Sequence, residues 1–190
     1  MTKCSILIVD TGPLKTLAYA GRLDLLLKPG LPVLVTDMVL EELRAKNKDG
    51  NNAALKFLTQ CMLDKSVEEY TTGVPGKIEK YRDLGQDPGD ESIRICLRQL
   101  AAKNDDDCVL LLFEDNDLAK NSFLPVDNVY LLTTRPFLQR LEILTHIDSA
   151  EDVLREAERK SIESDDARSL LNRKREHDVP PRKDSQMRPF

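Results

Sequence analysis

Short, nearly continuous apolar runs alternate with amphipathic stretches along most of this chain, and few architectures accept that alternation. Residues 5–9 (Ser-Ile-Leu-Ile-Val), 32–36 (Pro-Val-Leu-Val-Thr), 109–113 and 129–133 are the runs. A strand that is apolar on both faces belongs inside a parallel sheet covered by helices. Residues 67–72 add a weaker, half-polar run that suits an edge strand. Between the runs, apolar residues recur at helical spacing over 14–27, 38–46, 52–64, 90–102 and 135–144, with weaker helical stretches at 76–83 and 117–122. Gly21 interrupts the first of these, Thr36 or Asp37 can cap the second, and Pro136 stands in the first turn of the last. The order β-α-β-α-α-β-α-β-α-β-α predicts an α/β chain in three layers, α/β/α, around a mostly parallel sheet of four to five strands.

The character changes near residue 150. Residues 155–190 carry ten Lys/Arg against eight Asp/Glu, a net +2, which leaves about −7 on residues 1–154. The reading is one unit over 1–148, then over 149–190 a solvated, charged C-terminal helix and a disordered tail. No apolar run approaches the roughly 18 residues that span a bilayer, so no membrane association is expected. The N-terminal segment lacks the long apolar core and cleavage site of a secretion signal. Cys4, Cys61, Cys96 and Cys108 are scattered without metal-ligand spacing, and both histidines lie far from them. That pattern argues against zinc and for a reducing cytoplasmic setting. The net charge of −5 counts only weakly against nucleic-acid binding, since acidic metal sites contribute negative charge that bound ions offset.

Acids recur where the predicted sheet would gather them. Asp10 ends the first run. Glu42 lies about one and a half turns into the helix after the second run. Asp90 and Glu91 open the helix at 90, and Asp115 and Asp117 follow the run 109–113. In parallel α/β sheets ligands bind beyond the carboxyl ends of the strands. Each acid taken alone has an ordinary explanation as a turn former, a helix cap or a solvent-facing charge. Gathered together, carboxylates repel and call for cations, and hard oxygen donors suit Mg²⁺ or Mn²⁺.

The order and local context of these acids resemble those of the PIN domain family over about residues 4–144. Ile-Val-Asp10-Thr11-Gly12-Pro13-Leu14 resembles the family's opening strand and first acid. Val39-Leu40-Glu41-Glu42-Leu43 resembles its helix with Glu before Leu. Gly89-Asp90-Glu91-Ser92-Ile93 is similar to its third motif, whose spacing selects Asp90 and leaves Glu91 as the alternative acid. Leu112-Phe113-Glu114-Asp115-Asn116-Asp117-Leu118 resembles the last motif. The resemblance implies a Mg²⁺- or Mn²⁺-dependent ribonuclease. Asp10, Asp90 and Asp115 would hold metal, and Glu42 and Asp117 would complete the shell or orient water. Attack in line would leave a 5′-phosphate and a 3′-hydroxyl. Arg44, Lys46, Arg94, Lys120 and Arg135 flank the acids and are candidates for the RNA backbone, though single basic residues on helices are more often solvated charges. The resemblance also implies a small antitoxin protein as partner, as for the family's bacterial toxins, and a homodimer.

The chain departs from the family at Gly12, where Ser or Asn is frequent, and at Phe113, where Thr or Ser is frequent. These departures allow a second reading, a catalytically weak PIN-like module that binds RNA or a protein. Two other families fit less well. A haloacid-dehalogenase phosphatase needs a second Asp at position 12. A response-regulator receiver needs an acidic pair at its first strand and a Lys just after a late strand, whereas Lys120 falls in a helical stretch.

Overall fold

The computed structural model describes residues 4–45, 49–101, 108–114 and 129–177, with side chains given through residue 164. Five strands form one sheet: β1 (Cys4–Val9), β2 (Val33–Thr36), β3 (Val67–Tyr70), β4 (Cys108–Phe113) and β5 (Val129–Thr133). The order across the sheet is β3-β2-β1-β4-β5, and every neighbouring pair is parallel. The predicted sheet is therefore present, with all five strands and wholly parallel. From β1 the chain winds outward through β2 and β3, then crosses back to β4 on the other side. The order reverses between β1 and β4, which is where such sheets open a crevice.

The helices are α1 (Thr11–Ala20), α2 (Asp37–Ala45), α3 (Asp49–Leu63), α4 (Ile78–Asp83), α5 (Pro88–Ala101), α6 (Thr134–Ile143) and α7 (Ala150–His177), with 3₁₀ turns at Leu23–Leu27 and Pro75–Lys77. The predicted helix 14–27 is two elements. Gly21 takes a left-handed conformation (φ 68°) and its amide donates to Ala18, closing α1. The edge strand stops at Tyr70, before the predicted Thr72. Beyond it the backbone amides of Thr72 and Gly73 donate to the buried carboxylate of Asp37, and those bonds turn the chain out of the sheet.

Alternation along the strands builds two cores. Leu7 and Val9 of β1, Val33 and Val35 of β2 and Leu112 of β4 face a large cluster with Leu14, Leu17, Leu58 and Leu138. Ile8, Leu34, Val109, Leu111 and Phe113 face the opposite side and pack on Ile93, Cys96 and Leu97 of α5. Successive strand side chains point to opposite faces, so both faces must be apolar, as the continuous runs require.

The reading of 149–190 as solvated needs correction at its start. Ala150, Val153 and Ala157 of α7 are buried in the larger core, and Leu154 packs against it. Ser164 donates to Asp49 of α3. The apolar residues of this stretch are sparse in sequence, but several of them fall on the one stripe that meets α1. The predicted helix 117–122 and the tail 178–190 lie outside the described residues.

Candidate active site

Asp10 is the first residue beyond β1. Its amide donates to Leu112 of β4 at 2.9 Å, which holds it at the point where the strand order reverses. It occupies the position before α1, yet its side chain makes no capping hydrogen bond to that helix's later amides. Thr36 Oγ1 accepts the amide of Val39, and Asp37 accepts that of Met38; together they start α2 directly from the end of β2. Glu42 thereby swings back over the same sheet edge. Asp87 accepts the amides of Gly89 (2.8 Å) and Asp90 (3.2 Å) and caps α5, with Pro88 in the first helical position. That cap sets Asp90 on the first turn. A buried pair, Thr36 and Ser92, shares a hydrogen bond of 2.8 Å and ties the start of α2 to α5.

Asp10, Glu42 and Asp90 line one pocket of about 410 Å³, together with Thr11, Lys15, Asp87 and Glu114. Burial pushes the Asp10 carboxyl from its ordinary 3.8 up to about 7. The negative charges of Glu42 and Asp90 add to the rise, while the Thr11 amide and the Lys15 ammonium oppose it. Thr11, which is buried, donates its hydroxyl to Glu42 Oε2 at 2.6 Å. Two glycines make room for this arrangement. A Cβ on Gly89 would collide with the Glu42 carboxylate, and one on Gly12 would come within 2.8 Å of Glu114 Cβ. The space beside Gly12 is thus filled by Glu114 from the adjacent strand end. Glu114 is in turn held by Thr134 Oγ1 at 2.6 Å.

The other candidates divide. Glu91 forms an ion pair with Arg94 at 2.6 Å and does not line the pocket; Asp90 does. Arg44 pairs with Glu41 at 2.7 Å and Arg135 with Glu151, both on exposed surface. All three described arginines among the RNA-backbone candidates are therefore engaged by acids of this chain. Asp115, Asp117, Lys46 and Lys120 lie outside the described residues. The site also contains residues that sequence reasoning missed: Thr11, Lys15, Asp87 and Glu114. Lys15 carries a detectable signal, since a basic residue on the first turns of a helix that starts at an acid stays close to that acid.

The donors around the pocket are oxygen atoms, the chemistry that Mg²⁺ and Mn²⁺ prefer. Among the described residues, no group of three or more Asp, Glu, His or Cys side chains stands close enough to ligate one ion. Also among the described residues, no helix is long and apolar enough to cross a membrane. Compared with protein-family models, with curated proteins and with solved structures, the chain matches none of them.

Proposed function

We propose that this chain is a metal-dependent ribonuclease of the PIN type that hydrolyses RNA phosphodiester bonds at the pocket of Asp10, Glu42 and Asp90. One observation carries the reading: three carboxylates from three separate elements meet on one pocket at the switch point of a parallel sheet. Burial raises the Asp10 pKa most, and the charges of Glu42 and Asp90 add to it. Such a convergence is unfavourable in a metal-free protein and is relieved by a divalent cation. Asp10 and Asp90 would hold the ion together with Asp115, the third ligand that the resemblance implies, and Glu42 would complete the shell or orient water. When bound, Mg²⁺ or Mn²⁺ supplies a water of lowered pKa and neutralises charge on the phosphate. Thr11 fixes the orientation of Glu42. Cys61, Cys96 and Cys108 are buried cysteines, and the reading places the chain in a reducing compartment such as the cytoplasm.

The test is cleavage of structured and single-stranded RNA by the wild type, Asp10→Asn and Asp115→Asn, each in Mg²⁺, Mn²⁺ and EDTA. Cutting that requires metal and falls by about 10²-fold or more in Asp10→Asn supports the nuclease. A second reading, a PIN-like module that binds RNA or a protein without turnover, is favoured by the lack of three mutually close ligands among the described residues. Mn²⁺ binding by calorimetry with no cutting of any RNA would select it. Absence of Mn²⁺ binding would overturn the metal-site argument itself.

A further inference from the structure

The acidic pocket does not stand alone. Gly12, Lys15 and Glu114 line it and also line an adjoining pocket of about 520 Å³ between α1, α3 and α7. Lys15 is the basic residue at the seam. One helical turn further along α1 is Tyr19, and residues four apart on a helix share a face. Tyr19 is half-buried. Its ring is seated by Gly50 of α3, where a Cβ would come within 2.9 Å of the ring. The remainder of the ring lines the pocket, opposite Leu154, Ala157 and Ser161 of α7.

We propose that this second pocket is a nucleotide subsite, in which Lys15 contacts the phosphate next to the scissile one and the Tyr19 ring stacks on the adjoining base. The proposal rests on the ribonuclease reading and assigns it a single-stranded RNA substrate. The charge pattern gives the subsite a direction. Glu158 of α7 would repel a phosphate from the far side of the pocket, whereas at the seam the Lys15 ammonium offsets Glu114, which is already bound to Thr134. The place for an anion is therefore the Lys15 end, beside the acidic pocket. The far end, with an aromatic ring and aliphatic side chains, is the place for a flat uncharged base. Stacking on an aromatic side chain tolerates any base, so the subsite would position the strand without reading its sequence. A duplex would not fit, because its bases are paired and stacked on one another.

The proposal is tested with the full chain in Mn²⁺ by fluorescence anisotropy of a labelled single-stranded RNA bearing phosphorothioate linkages, which resist cutting. Lys15→Met is expected to weaken binding about tenfold and to reduce the slope of log Kd against log salt by about 0.7. Tyr19→Leu is expected to weaken binding at least about fivefold, and Tyr19→Phe to keep wild-type affinity, because it keeps the ring. Mn²⁺ affinity, read by calorimetry, should stay within about twofold in the Tyr19 variants. If Tyr19→Leu melts at much lower temperature, Ser161→Trp fills the same pocket from α7 and should weaken RNA binding equally. Wild-type binding with Lys15→Met, Tyr19→Leu and Ser161→Trp all within twofold of it overturns the subsite and leaves the nuclease reading standing. A wild type that neither binds nor cuts RNA overturns both.

Discussion

Thr11 donates its hydroxyl to Glu42 Oε2 at 2.6 Å, joining the first residue of α1 to a side chain of α2. The bond links two helices that leave different strands, and it holds one carboxylate of the site in place. Thr11→Val keeps the shape and removes the donor. Hydrogen bonds to charged groups contribute about 1.5–3 kcal/mol. The variant should therefore lose on the order of 1–2 kcal/mol of stability in urea melts and at least about tenfold in Mn²⁺ affinity. Thr11→Ser should recover most of both. Equal Mn²⁺ affinity in wild type and Thr11→Val would remove Glu42 from the metal site.

Gly89 and Gly12 should respond differently to the same change. A Cβ at Gly89 meets the far end of Glu42, a carboxylate that can swing aside. Gly89→Ala should cost no more than the Thr11–Glu42 hydrogen bond it disturbs, about 1–2 kcal/mol, and reduce cleavage strongly, since the displaced group belongs to the site. A Cβ at Gly12 meets Glu114 Cβ at 2.8 Å, close to the backbone, where little can give. Gly12→Ala should cost about 1–3 kcal/mol in stability. Parallel thermal melts and cleavage assays separate the two cases, and a large melting shift in Gly89→Ala would contradict the assignment.

The Asp10 carboxyl gives the metal-free protein a characteristic pH dependence. Its pKa is about 7 in the folded state against an ordinary 3.8. Between those values the folded chain holds a proton that the unfolded chain has released. Stability from this group is full below about pH 4 and falls as pH rises through about 7. In EDTA, wild type should lose stability relative to Asp10→Asn across that window. Allowing for the part of the carboxylate that meets water, the difference at pH 8 should be about 1–3 kcal/mol. That is several degrees in melting temperature for a chain of this size. A wild type minus Asp10→Asn difference that does not change with pH would show that Asp10 titrates normally.

Asp37 is acidic and stands at a strand end, yet its role is structural. Its carboxylate, 8% exposed, accepts from the amides of Met38, Thr72 and Gly73 and from the Thr72 hydroxyl at 2.5 Å. Asp37→Ala removes the acceptor of these four hydrogen bonds and should lower stability by about 1–3 kcal/mol. In native hydrogen exchange, protection of the Thr72 and Gly73 amides should be lost first. Unchanged exchange at those two amides would refute the clamp.

Truncation after Asp148 tests whether α7 belongs to the folded unit. The cut removes Ala150, Val153 and Ala157 from the core and uncovers the face of α1 that packs on α7. Burial of one such aliphatic side chain is worth about 1.5–3 kcal/mol. The shortened chain should thus be several kcal/mol less stable by urea titration. A truncated chain as stable as the full one would mean that α7 is only an appendage.

Local composition was enough to place β1, β2 and β4, because a strand buried on both faces must be apolar throughout, and Leu7, Ile8 and Val9 divide between two cores for that reason; the half-polar β3 was legible only as a weaker edge run. It was also enough to mark Asp10, Glu42 and Asp90, since a parallel sheet puts all its strand ends on one edge. Between Asp90 and Glu91 the motif spacing selected Asp90 but left Glu91 as the alternative. Neighbours on a helix differ by about 100° in direction, and only the packing of α5 against α2 turned Asp90 to the pocket and Glu91 to Arg94. The same holds for Arg44 and Arg135, whose acidic partners Glu41 and Glu151 are set by helix faces and by the docking of α7. Glu114 over Gly12, and Thr11 beneath Glu42, are meetings of residues 102 and 31 positions apart. The sequence carried the periodicities and the acids, which are local properties of the chain. Strand order decided which side chains meet, because contacts between distant segments exist only once the sheet has brought them together.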